Sequence, residues 1–126
     1  MFLMFYFLNS LLVSAPKNKY WIMEIHILDA SSEKFIKSLE KPTIAKILRI
    51  IDLLEKFGRN LGLPHSKKVG GQLYELRIRG AQEVRIFYVF RKSRIFLLHG
   101  FIKKSQRIPK KEIRLALAKA RRLDSA

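Results

Sequence analysis

Apolar and polar residues alternate from Ile22 to Leu28, with Ile25 and Ile27 on one side and Glu24 and His26 on the other. A period of two is that of a half-buried strand. Asp29 or Ser31 then caps a short helix that carries Phe35, Ile36 and Leu39 on one face. Lys41-Pro42 restarts the chain, and Pro42 suits a first helical turn. Ile44, Ile47, Leu48, Ile51, Leu54 and Phe57 recur at helical spacing as one apolar stripe, and Gly58 supplies its stop. Two amphipathic helices in succession predict a helical hairpin packed on a sheet.

From Gly58 to Gly71 the breakers Gly58, Gly62, Pro64, Gly70 and Gly71 predict a loop. Three strands follow. In the first, Tyr74, Leu76 and Ile78 oppose Glu75, Arg77 and Arg79; in the second, Val84, Ile86, Tyr88 and Phe90 oppose Arg85, Phe87, Val89 and Arg91. The third, Arg94 to Phe101, holds the run Ile95 to Leu98 and is apolar enough to be central and covered on both sides. Short connections make the three an antiparallel meander. Pro109 opens a last helix with Ile113, Ala116, Leu117 and Ala120 as its buried stripe. The expected class is α+β.

Residues 1–22 do not fit this pattern. The run Met1 to Val13 is interrupted by Asn9 and Ser10 and is too short for a membrane span, which needs about 20 residues. Ser14-Ala15 resembles a signal-cleavage region, but no Lys or Arg precedes the apolar stretch. The favoured expectation is an apolar extension produced by a start site placed too far upstream, with Met23 opening a single domain over residues 23–126.

Charge narrows the field of partners. The 126 residues carry 26 Lys and Arg against 10 Asp and Glu, a net charge of +16, and 48% are hydrophobic, so the chain is not a disordered basic tail. Seventeen of the basic residues but only Glu75, Glu83, Glu112 and Asp124 follow Pro64, so an anionic partner is expected on the second half. The absence of cysteine excludes thiolate chemistry and Cys-based zinc sites. No His or carboxylate pair has metal-ligand spacing, and no phosphate-cradling glycine motif or serine nucleophile elbow is present. Neither metal nor cofactor is expected.

Arg77 and Arg79 share a strand face, and the turn brings Arg85 beside them. Like charges on neighbouring strands repel, so the cluster is either a phosphate site or a solvated face partly neutralised by Glu75 and Glu83. A second basic group, Lys103-Lys104-Ser105-Gln106-Arg107, lies between the third strand and the last helix. Of the three histidines, His26 reads as structural and His65 as solvated, while His99 ends the third strand within reach of the arginines. The interleaved aromatics Tyr74, Phe87, Tyr88, Phe96 and Phe101 suit either base stacking or core packing.

The segments Leu73-Tyr74-Glu75-Leu76-Arg77, Arg85-Ile86-Phe87-Tyr88 and Leu98-His99-Gly100-Phe101-Ile102-Lys103-Lys104-Ser105-Gln106, with Pro109 and Glu112-Ile113, occur in an order and spacing that resemble the phage-derived HigB-like branch of the RelE/ParE toxin superfamily. The resemblance spans about Met23 to Leu123. It implies a small RelE-like fold, with an N-terminal strand, a two-helix hairpin, a three-strand meander and a C-terminal helix. It also implies a cytoplasmic, ribosome-dependent mRNA endonuclease held inactive by an antitoxin, itself expected to be a helix-turn-helix protein.

Carried over by position, the resemblance assigns catalytic roles to Arg77, Arg85, Lys103 and Lys104, with His99 inside the motif; Arg79 and the basic residues Lys67, Lys68 and Arg107 are the expected RNA contacts. Other branches place a tyrosine or histidines near the C-terminus as acid or base; this last helix carries neither. The chemistry suits the charges. RNA is cut when its 2′-hydroxyl attacks the adjacent phosphate, and preorganised cations stabilise the dianionic phosphorane. The alternatives are a noncatalytic RNA or ribosome binder and a gyrase-directed toxin of the ParE type.

Overall fold

The computed structural model describes residues 23–125. The expectation for residues 1–22 lies outside the described residues. In chain order the elements are β1 (Glu24–Ile27), α1 (Ala30–Lys37), α2 (Lys41–Phe57), a single 3-10 turn (Gly58–Asn60), β2 (Ser66–Gly70), β3 (Leu73–Ile78), β4 (Val84–Arg91), β5 (Arg94–Ile102) and α3 (Lys110–Ser125). The architecture is α+β, with three helices on a five-stranded mixed sheet of order β1-β5-β4-β3-β2.

The sheet corrects one expectation. The segment from Gly58 to Gly71 is not all loop: β2 pairs antiparallel with β3, so the meander has four strands rather than three. The pattern hid it because β2 is an edge strand of sequence SKKVG with only Ser66 buried. Exposed lysines on an edge discourage pairing with other chains and leave no apolar alternation to read. At the opposite edge β1 runs parallel to β5. That makes β5 the interior strand its composition called for.

Helices cover both faces. Ile36 of α1, Leu39 just after it, and Ile47, Ile50, Ile51 and Leu54 of α2 pack with Leu76, Ile78, Ile86, Tyr88 and Leu97 on one face. The inward arc of α2 is thus centred on Ile47, Ile50, Ile51 and Leu54, while Phe57 on the last turn is exposed. On the other face, Ala116 and Ala120 of α3 press against Phe87, Val89, Leu98 and Phe101. Leu117, expected in that stripe, is exposed, because it stands about 100° around the helix from Ala116. The close approach of α1 explains Gly100. A Cβ there would come within 2.6 Å of the Phe35 ring, so a side chain at this position would displace α1 from β5.

One polar contact ties the two faces together. Asp29 caps α1 by accepting from the Ser32 backbone N–H at 3.0 Å, and its carboxylate also meets Lys119 Nζ of α3 at 3.1 Å. Lys119, itself buried, donates to Ser31 Oγ at 2.8 Å, and Ser32 Oγ donates to the Leu98 carbonyl of β5 at 2.7 Å. Burial pushes the Asp29 carboxyl up, but its bonds to Ser32, Ser31 and Lys119 outweigh that and hold it at about 2.

Replacement Asp29→Ala removes a cap and strands a buried ammonium, so it is expected to cost about 2–4 kcal/mol at neutral pH. Because the folded pKa lies below the unfolded one, the ionic part of this stabilisation is complete above about pH 4 and lost as the pH falls towards 2. Urea denaturation should show the gap between parent and variant narrowing across that window. A constant gap would mean that the carboxylate's charge contributes nothing.

Candidate functional site

Cross-strand register arranges the basic residues of the second half in rungs on the α3 side of the sheet. Lys67 stands opposite Glu75, Glu75 opposite Phe87, and Phe87 opposite His99. In the next rung Arg77 faces Arg85, and Arg85 faces Phe101. The Arg77 N–H donates to the His65 carbonyl at 2.8 Å, which brings His65 beside that rung. A last bond, from Lys103 N–H to the Glu83 carbonyl at 2.7 Å, sets Lys103 beside Glu83.

The arginine cluster does not await an outside anion to relieve its repulsion. Glu75 lies between the two opposed arginines, 3.9 Å from Arg77 Nε and 3.8 Å from Arg85 Nε. Glu83 lies between Arg85 Nη1 at 3.1 Å and Arg79 Nε at 3.5 Å. Charges therefore alternate along the chain of contacts Arg77, Glu75, Arg85, Glu83, Arg79. Burial raises the Glu83 carboxyl, but the Arg85 hydrogen bond and the charges of Arg85 and Arg79 bring it below its ordinary value.

Exposure separates the roles of these side chains. Arg85 is 2% exposed, whereas Arg77 is 22% and Arg79 is 62% exposed. Arg85 thus acts as the buried hub that orients two carboxylates, and Arg77 and Arg79 are the members that reach solvent. The Arg77 and Arg85 contacts to Glu75 are longer than hydrogen bonds, so Arg77 Nε and Glu75 Oε2 have no hydrogen-bond partner among the described residues. The site is strongly polarised.

His99 Nε2 lies 3.1 Å from Glu112 Oε1 in the first turn of α3, and both side chains are largely buried. This pairing fixes the imidazole in orientation, as a carboxylate partner does for histidines that exchange protons. His99 stands two strands and one rung from Arg77, a separation of about 12 Å at the usual strand spacing and rise, with Phe87 and Arg85 on the strand between. Lys103 is half-buried, while Lys104 and Arg107 are exposed in the loop leading to α3, where Ser105 Oγ donates to the Arg107 carbonyl at 2.9 Å. The Lys67 and Lys68 pair is split: Lys67 aligns with Glu75, but Lys68 aligns with Tyr74 on the opposite face.

Tyr88 belongs to that opposite face, hydrogen-bonded to Ser66 Oγ, and burial pushes its phenol up to about 12. It cannot serve as a base at neutral pH. Glu75, Glu83 and Glu112 were not among the sequence candidates, nor was His65. The carboxylates read as neutralising charges or motif members, and His65 fell in a segment without strand periodicity. Among the described residues, no cluster of three or more His, Cys, Asp or Glu could hold a metal ion, and no helix is long and apolar enough to cross a membrane.

Replacing Arg85 by Ala leaves the buried Glu75 and the half-buried Glu83 against fewer cations, and is expected to destabilise the fold by about 3–5 kcal/mol. Arg79→Ala, which removes an exposed pair, is expected to cost under about 1 kcal/mol. Equal costs in thermal denaturation would show that Arg85 is not the hub.

The family model described as phage derived protein Gp49-like (DUF891) matches residues 34–121, well over half of the chain, and the protein belongs to that family. No curated protein matches it.

Proposed function

We propose that this member of the Gp49-like family is the toxin of a type II toxin–antitoxin pair and acts as a ribosome-dependent mRNA endonuclease. The reading is carried by one observation: the sheet face that gathers Arg77, Arg79 and Lys103 also carries an imidazole oriented by a carboxylate at 3.1 Å. Those are the two kinds of group that metal-free cleavage of RNA requires.

In the proposed reaction a base takes the proton of the 2′-hydroxyl, the oxygen attacks the adjacent phosphorus, and the P–O5′ bond breaks. The 5′-oxygen leaves with a proton, and the other product carries a 2′,3′-cyclic phosphate. Arg77, with Lys103 and Lys104, stabilises the charge on the equatorial oxygens, at a few kcal/mol for each well-placed donor. His99, held by Glu112, moves a proton to or from the reacting oxygens. Arg79, Lys67 and Arg107 hold the flanking phosphates. Arg85 acts through Glu75 and Glu83, so it positions the cations rather than touching substrate.

The inhibitor that fits this face is acidic, because it must cover exposed cations that the chain's own carboxylates leave unpaired. A helix-turn-helix antitoxin in the cytoplasm completes the proposal.

Tightly induced expression of the full chain is expected to arrest growth, with primer extension showing cuts in translated mRNA. His99→Ala and Lys104→Ala are expected to lower cleavage by about 100-fold or more, the usual range for loss of an acid–base or charge-stabilising group, while circular dichroism stays unchanged. Salt-sensitive ribosome binding without cuts would replace the enzyme by a noncatalytic binder. DNA damage with intact mRNA would point to gyrase. Undiminished cleavage in both variants would remove these residues from the site.

A further inference from the structure

A second basic constellation lies on the opposite face of the sheet, where the 3-10 turn, the β2–β3 turn and the β4–β5 turn enclose a cleft of about 260 Å3. Arg59, Lys68 and Lys92 line it over a floor of Tyr74 and Phe90. Among the described residues, none of these three cations pairs with a carboxylate. A fourth, Arg91, is neutralised by Asp124, whose two oxygens accept from Nε at 2.6 Å and Nη2 at 2.9 Å.

Two of the three cations are restrained before any ligand arrives. The Arg59 guanidinium lies 4.2 Å from the centre of the Phe90 ring, and Lys68 Nζ lies 5.9 Å from that of Tyr74. Tyr74 and Phe90 brace each other edge to face, with centres 5.1 Å apart. Cation–π contacts limit the freedom that long side chains otherwise lose on binding an anion.

We propose that this cleft binds phosphate groups of a nucleic-acid backbone, as a contact separate from the face that holds Arg77 and Lys103. The cleft is lined mainly by polar groups and its aromatic faces are already covered by cations, so it lacks the open apolar pocket that anchors a peptide. A planar guanidinium beside two ammonium groups matches the oxygens of phosphate. Connection to the first site runs along the edge strand. Lys67 aligns with Glu75 on the α3 side and Lys68 with Tyr74 on the cleft side, so one polyanion crossing β2 meets both. The inference shares only the nucleic-acid component of the function proposed above.

The test is binding of the full chain to a fluorescent single-stranded 2′-O-methyl RNA, which cannot be cleaved, from about 50 to 200 mM salt. The double variant R59A/K92A is expected to weaken binding about tenfold and to lower the slope of log affinity against log salt by about 0.7 for each phosphate that it no longer neutralises. R59A/K92A combined with K104A should weaken binding by the product of the separate effects, since distant sites act independently. Unchanged affinity and slope in a folded R59A/K92A protein would overturn the proposal, as would no binding by the parent. Equal competition at this cleft by inorganic phosphate or by an acidic peptide would overturn the nucleic-acid assignment. The readout does not involve cleavage: a parent that binds this RNA but leaves translated mRNA uncut ends the endonuclease reading and leaves this one standing.

Discussion

A guanidinium taken out of water must be given carboxylates, and the burial of Arg85 imposes that condition on the middle of the sheet. Its two partners come from different places in the chain, Glu75 on β3 and Glu83 just before β4, so the pairing reinforces the register that sets Arg77 opposite Arg85. With the carboxylates committed inward, the outward cations have little left to neutralise them. Arg79 keeps a long contact to Glu83 and Arg77 a longer one to Glu75. The buried pairing thus leaves charge exposed: two of the four second-half acids are taken up by one hidden arginine, and the surplus of positive charge is left at the surface.

The same economy operates on α3. Its inward side centres on Ala116 and Ala120, small enough for the helix to lie close to β4 and β5, with Ile113 and Leu123 packed beside them. Its first turn supplies Glu112 to His99, its middle supplies Lys119 to Asp29, and its last turn supplies Asp124 to Arg91. These polar contacts at its start, middle and end add to the apolar packing in fixing the rotation and axial position of the helix. The imidazole of His99 is oriented because the whole helix is clamped.

Much of the fold was legible from periodicity. The alternation around Ile25 and Ile27, the breaks at Asp29, Pro42 and Gly58, and the continuous apolar run of β5 each correspond to an element of the expected type. What failed had a local reason. β2 is polar because it is an edge, and Leu117 and Phe57 sit at helix angles that the spacing rule admits but the packing does not use. At the site, the sequence located the cations but not their partners. Register brings Glu75 to Arg85 and the placement of α3 brings Glu112 to His99, and both are tertiary facts. The same register divides Lys67 from Lys68, which adjacency in sequence had joined.

The parallel pairing of β1 with β5 joins the first strand of the described domain to the last strand of its sheet. Ser32 reaches the Leu98 carbonyl 66 positions away, and Asp29 reaches Lys119 across 90. Contacts of such long sequence separation are slow to form, because the intervening loop must close before they stabilise anything. A ribosome making this protein releases β1, α1 and α2 well before their partner strand exists. The two helices must wait, their apolar sides unmatched, and the basic face can take shape only once nearly the whole polypeptide has been synthesised.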